Sequence, residues 1–281
     1  MNRSLLIEKP SKLSYSNESI VVEQEDTVLT IPMCEIDALV IDNNQSVITT
    51  ALISKLANAQ IDTVLCDNKH LPDVRLSDVN TNANGSGRVF EQLSWGENVK
   101  SEAWLQIVAN KMHNQIAMSE KLNGSTIKMP TSADLDNNEG ILARMYFSRL
   151  FGKSFVRHAK DDINAMLNYG YALLLSRLAK IISSCGFLTQ LGVHHCAKSN
   201  NYNFVCDVME PFRPVVDKIA FYHREEQFGR MQKLAMLDVY NEKVQLQGRS
   251  FALSDAMSTY FGLVCDFLNG ERDDIPEVRI G

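Results

Sequence analysis

Short apolar runs alternating with polar breaks dominate the start of the chain. "SLLIE", "KLSY", "SIVVE" and "TVLTI" are β-branched or aromatic segments, separated by the turn signals "KPS", "SNE" and "QED". "EIDALVID" and "IDTVLCD" read as two further strands flanking a helix over Thr50–Ala59. No Gly-rich phosphate loop joins them, which argues against a nucleotide fold. Residues 73–88, "DVRLSDVNTNANGSGR", lose all apolar periodicity and predict a poorly ordered loop. From about residue 99 the period changes to that of helices. Ser101 is placed to cap a helix with Trp104, Ile107, Val108, Met112 and Ile116 on one face, stopped by Gly124. A second helix is predicted from Asn137 or Asn138 to Phe151, before Gly152. A third covers Asp162–Cys185, with Gly186 in the left-handed position that ends helices. Others begin after Pro211 and near Ser254, the last ending at Gly270. The prediction is an α+β chain: a β-rich, sandwich-like domain with one helix over residues 1–72, a linker over 73–98, and a larger all-α domain over 99–281.

Charge sharpens this division. The formal charge is −6, and residues 1–75 account for −5 of it. An acidic first part argues against a nonspecific nucleic-acid coat but leaves room for a basic groove in the second part. The longest apolar stretch, 169–182, contains Arg177 and Lys180, so no membrane span is expected. With no signal-like start, a cytoplasmic protein is the expectation. The six cysteines form no C-x-x-C pair and read as reduced thiols. The adjacent residues "HHC" at 194–196 are too close together to converge on one tetrahedral zinc ion.

Three positions of the helical part carry candidate chemistry: Glu139 in "NNEGILARMYF", His195 in "TQLGVHH" and Glu210 in "CDVMEPFRP". Two carboxylates and an imidazole suit manganese, or magnesium with water or phosphate completing the shell. Each also has an ordinary explanation. Glu139 sits where a helix dipole favours an acid. His194 and His195 fit a surface turn. Glu210 precedes Pro211, which disfavours helical dihedrals at Glu210, or it begins the next helix with Pro211 in the first turn, and Arg213 can pair with Asp207 or Glu210. Arg144, Arg149, Lys153, Arg157 and Lys160 form a loose basic series, either a solvated face or a track for phosphates. Tyr146, Tyr169 and Tyr171 lie nearby, as core residues or as base-stacking platforms.

Taken together, "NNEGILARMYFSRLFG", "INAMLNYGYALLLS", "LTQLGVHH", "DVMEPFRPVVD", "LCDNKHLP" and the closing "IPEVRI" resemble the CRISPR-associated adaptation integrase, the larger subunit of the spacer-acquisition complex. The pattern looks most like the version found beside a single-protein RNA-guided effector nuclease. The resemblance implies a metal-dependent DNA integrase and endonuclease of antiviral defence. It would insert short DNA fragments into the repeat array by attack of a 3′-hydroxyl on a phosphodiester, with hydrolysis when water attacks instead. It implies Glu139, His195 and Glu210 as ligands of Mg2+ or Mn2+. The histidine is counted fourth in a G-x-x-H run from Gly192, although His194 can compete. Asp207 is implied behind the ligands, and Arg144, Arg149, Lys153, Arg157 and Arg213 as DNA contacts. The implied partners are double-stranded DNA, a second copy through the β domain, and a smaller companion subunit in a four-to-two complex. The effector nuclease and an accessory subunit are further implied partners. The competing expectation is an inactive scaffold of the same fold that only binds DNA and the companion.

Overall fold

A computed structural model of the chain describes residues 3–59, 61–68, 70, 72–76, 85–130 and 135–280, with backbone only at 135–137. It divides into two compact units, Met1–Thr81 and Asn82–Gly281.

The first unit holds β1 (Arg3–Ile7), β2 (Lys12–Ser16), β3 (Ser19–Gln24), β4 (Thr27–Pro32), β5 (Ile36–Ile41), β6 (Val47–Ile48), α1 (Thr50–Asn58), β7 (Asp62–Cys66) and β8 (Pro72–Arg75). They form two four-stranded sheets, ordered β1-β5-β7-β8 and β4-β3-β2-β6. Alternating residues of both sheets and one face of α1 meet in a shared core that includes Leu13, Ile20, Leu39, Leu52 and Leu56. The period-2 and period-3.6 patterns of the sequence are read directly in this packing.

The second unit is mainly helical: α2 (Gly85–Ser94), α3 (Glu97–Asn123), α4 (Leu135–Phe151), α5 (Asp162–Ser184), α6 (Asn203–Met209), α7 (Arg213–Tyr222), α8 (Arg230–Leu237) and α9 (Leu253–Leu268). Gly124, Gly152, Gly186 and Gly270 all take positive φ at or just past helix ends, as the sequence pattern required.

Four details differ from the sequence reading. Residues 85–98 are not linker: α2 belongs to the second unit, where Gln92 donates to the carbonyls of Leu188 and Leu191 and Trp95 donates to Asn269. Of the loop expected over 73–88, residues 77–84 lie outside the described residues, while its ends form part of β8 and the start of α2. The helix assigned to a Ser101 cap begins earlier, at Glu97 after Gly96. Finally, the second unit is not purely helical. β9 (Lys243–Leu246), β10 (Arg249–Ala252) and β11 (Val278–Ile280) make an antiparallel sheet ordered β10-β9-β11. "IPEVRI" thus ends as a strand, which Asn110 of α3 holds by donating to Val278 O at 2.8 Å and accepting from Val278 N at 3.0 Å.

Of the two expectations for Glu210, non-helical dihedrals before a proline and the start of a helix with Pro211 in its first turn, the second agrees with the structure: Glu210 has φ −52° and ψ −45°. A 3-10 turn over Glu210–Phe212 joins α6 to α7. Pro211 and Pro214 each occupy the first turn of their segment, where a missing N–H leaves nothing unpaired. "DVMEPFRPVVD" is therefore one helical run. Asn114 of α3 donates to Pro211 O at 3.0 Å and fixes this run against α3.

Candidate active site

The helical run places Asp207, Glu210 and Asp217 in the interior, exposed by 0%, 4% and 0%. Buried carboxylates need compensation, and each finds a different kind.

Asp207 is satisfied by the loop that precedes it. Its Oδ2 accepts from the backbone N–H groups of Val193 (2.7 Å) and His194 (3.1 Å), and its Oδ1 from that of His195 (3.1 Å). The ring of His195 completes the set, with Nδ1 2.6 Å from Asp207 Oδ1. A carboxylate can only accept, so Nδ1 carries the proton and, in the neutral ring, Nε2 keeps its lone pair. This bond to Asp207 raises the His195 pKa, against the opposing effect of burial. The loop approaches Asp207 so closely that a Cβ on Gly192 would lie 2.5 Å from His195 O and 2.6 Å from Asp207 Oδ2. The glycine of the G-x-x-H run is thereby explained: only a residue without a side chain fits there. The His194 ring stacks on Trp104 at 4.1 Å and 2° between planes, while the His195 ring meets the same indole edge-on at 5.6 Å.

Glu210 is compensated by two cations. Arg213, one helical turn on, donates from Nε to Oε1 at 2.9 Å. Lys111 of α3 places Nζ 2.5 Å from Oε2. The same ammonium is 2.5 Å from Oε1 of Glu139 on α4. Burial pushes the Glu210 carboxyl up, but Arg213 and Lys111 outweigh it and hold it at about 2. Burial likewise disfavours the Lys111 ammonium, and the charges of Glu210 and Glu139 reverse this, so its pKa is raised. Three elements far apart in sequence, α3, α4 and the 210–212 turn, thus bring two acids onto one cation.

Among the described residues no cation is bonded to Asp217. Tyr171 of α5 donates to its Oδ1, and the hydroxyl of buried Tyr146 faces it from α4. Desolvation wins here, and the Asp217 pKa is pushed up to about 6. "NYGY" is explained by this packing. Tyr171 is buried by its bond to Asp217, and a Cβ on Gly170 would lie 2.5 Å from Val216 of α7. Tyr171 is therefore no base-stacking platform, and Tyr146 and Tyr169 are core residues with no exposure.

Of the expected DNA contacts, Arg144, Arg149 and Lys153 are exposed. Arg157 instead donates both terminal nitrogens inward, to Asn164 and Asn168 at 2.8 Å each, and lies over the Tyr171 ring. Arg213 lies over the same ring, 4.9 Å from its centroid, and pairs with Glu210.

Among the described residues, no three His, Cys, Asp or Glu side chains already form a metal cage. The donors nonetheless fit a divalent ion. Two carboxylates already grip a single cation. Glu210 Oε2 is buried and, among the described residues, faces the Lys111 ammonium. His195 offers Nε2, its other nitrogen being held by Asp207. Lys111 was missed in the sequence, and Trp104 was read there only as part of the apolar face of α3. The available signal was a charged residue on the apolar face of α3, one turn after Ile107 and Val108; Ile116, assigned to that face, is only half-buried.

No described helix is long and apolar enough to cross a membrane. The family model for CRISPR associated protein Cas1 matches residues 5–233. A CRISPR-associated endonuclease Cas1 of Neisseria meningitidis serogroup C (strain 8013) is 28% identical, over 98% of this chain and 96% of its own. A casposase bound to integration product superposes with a TM-score of 0.77 at 18% identity, over 98% of this chain and 92% of that one. A chain of a Cas6-RT-Cas1–Cas2 complex gives a TM-score of 0.71 at 17% identity, over 98% of this chain and 36% of that one.

Proposed function

Because the chain belongs to the CRISPR associated protein Cas1 family, we propose that it is a metal-dependent DNA integrase of CRISPR adaptation, with endonuclease activity when water replaces the attacking hydroxyl. The observation that carries this reading is the convergence of Glu139 and Glu210 on one cation beside a histidine whose Nδ1 is fixed by a buried acid. Glu139, Glu210 and Nε2 of His195 would hold Mg2+ or Mn2+. When bound, such an ion offsets the charge on the phosphoryl oxygens and on the leaving 3′-oxygen.

The chain's own residues do the positioning. Asp207 keeps the proton on Nδ1 and aims the ring, while its grip on three backbone N–H groups stiffens the 193–195 loop. Arg213 neutralises Glu210 and holds its carboxylate in place. The exposed Arg144, Arg149 and Lys153 attract DNA phosphates without reading sequence. In the reaction, the 3′-hydroxyl of a fragment forms a new ester to phosphorus as the bond to the repeat's 3′-oxygen breaks. One phosphodiester replaces another, so no external energy source is needed.

The proposed partners are double-stranded DNA, a second copy through the β unit, and a Cas2 companion as named in the solved complex. A four-to-two assembly, and association with an effector nuclease and an accessory subunit, belong to the same proposal.

The test is strand transfer of a labelled duplex with free 3′-OH ends into a repeat-bearing plasmid, with the companion and Mn2+ or Mg2+. Joined product is expected, and EDTA should abolish it. Glu139→Ala, His195→Ala and Glu210→Ala should each reduce product by about a hundredfold or more, while His194→Ala retains it. Activity retained in all three variants would sink the metal mechanism. DNA and companion binding without any joined product by the wild type would favour the scaffold.

A further inference from the structure

Lys111 is a lysine only 8% exposed, in the middle of a 27-residue helix, with its ammonium 2.5 Å from a carboxylate oxygen of each of two acids. We propose that Lys111 is a built-in counter-ion of the Glu139–Glu210 pair, holding the two carboxylates together when no divalent ion is bound and competing with that ion for the same place. The proposal rests on the metal reading above and concerns what precedes metal loading.

The geometry sets the competition. Divalent cations approach carboxylate oxygens to about 2.0–2.6 Å. A point that close to both Glu139 Oε1 and Glu210 Oε2 is where Nζ already lies. The ammonium and a bridging ion cannot share it. Charge says the same. A divalent ion between Glu139 and Glu210 would repel the Lys111 ammonium at close range. Loading therefore requires the lysine to swing aside. Without the lysine, two like charges would face each other, one of them buried. The long, flexible stem of lysine suits a group that must hold the site and then leave; the planar fork of Arg213 suits one that stays.

The test uses the full chain and Mn2+ as the probe. Lys111→Met keeps the stem and removes the charge. In EDTA its thermal midpoint should fall below that of the wild type. Its affinity for Mn2+, measured by calorimetry or electron paramagnetic resonance, should rise about tenfold, the change that a modest coupling between two ligands of one site produces. The double variant Lys111→Met/Glu139→Gln removes one of the facing charges, and its midpoint in EDTA should recover toward the wild type. That recovery reads the role of Lys111 even if the single variant does not fold without metal. Unchanged or weaker Mn2+ binding by Lys111→Met overturns the proposal while leaving the metal reading intact, as does a double variant no more stable than the single one. If neither wild type nor variant binds Mn2+, both readings fall.

Discussion

Asp207, Glu210 and Asp217 lie on one helical run, yet each acid is compensated differently, by backbone donors and a histidine, by two cations, and by phenols. The difference governs what each should do when changed. Asp207→Asn keeps the shape but weakens the hold on Nδ1–H of His195. It should weaken Mn2+ binding about 10–100-fold, the usual effect of losing the partner of a ligating histidine; an unchanged affinity would remove Asp207 from the site. Asp217 binds its proton more tightly in the folded chain, where its pKa is about 6, than in the unfolded one, near 3.8. Its contribution to stability is therefore complete below about pH 3.8 and is lost as pH rises through 6. Asp217→Asn, which cannot ionise, should be stabilised relative to wild type by on the order of 3 kcal/mol at pH 8, and by progressively less toward pH 4. Denaturant midpoints at the two pH values check this, and an equal difference at both would contradict it.

At the scale of elements, the site depends on where α3 lies. Asn114 of α3 donates to both Pro211 O (3.0 Å) and Val278 O (2.9 Å), tying the Glu210 turn and β11 to the helix that carries Lys111. Asn114→Ala removes the side-chain donor to Pro211 O, one of the two donors to Val278 O, and the acceptor of the Ile280 N–H. It should cost about 2–4 kcal/mol in denaturant unfolding and displace Glu210 from Lys111. A variant as stable as wild type would show that the strand does not brace the helix. The sequence marked these elements unevenly. Helices ended by glycine were legible because a left-handed residue is a local requirement. β9 and β10 were not, because each is four residues long, too short to show a period. The α6–α7 run was left open between two local rules, the bias of a residue before proline and the fitness of proline for a first helical turn, and the contacts that fix Glu210 favour the second.

For the whole molecule, the uneven charge matters most. The first 75 residues hold −5 of the net −6, so attraction for DNA has to come from the second unit. Arg144, Arg149 and Lys153 are its exposed candidates, whereas Arg157 and Arg213 are spent on Asn164, Asn168 and Glu210. Neutralising the three exposed residues together should lower the slope of log affinity against log salt by roughly three units on duplex DNA. Neutralising Arg157 should leave the slope nearly unchanged and reduce stability instead. Equal slopes for the triple variant and the wild type would place the DNA path elsewhere.

By itself the sequence determined the two-part α+β plan, most helix ends, and the residue types at 139, 195 and 210, because periodicity, glycine stops and motif spacing are local. Tertiary structure alone decided which partner each acid has. Lys111 meets Glu139 across 28 positions and Glu210 across 99, and no local pattern encodes a meeting at that range. It also set the two histidines apart, since only folding stacks the His194 ring on Trp104 and brings the His195 ring to Asp207. Burial then sets the charge state of each group, so the chemistry of the same acids depends on the fold around them.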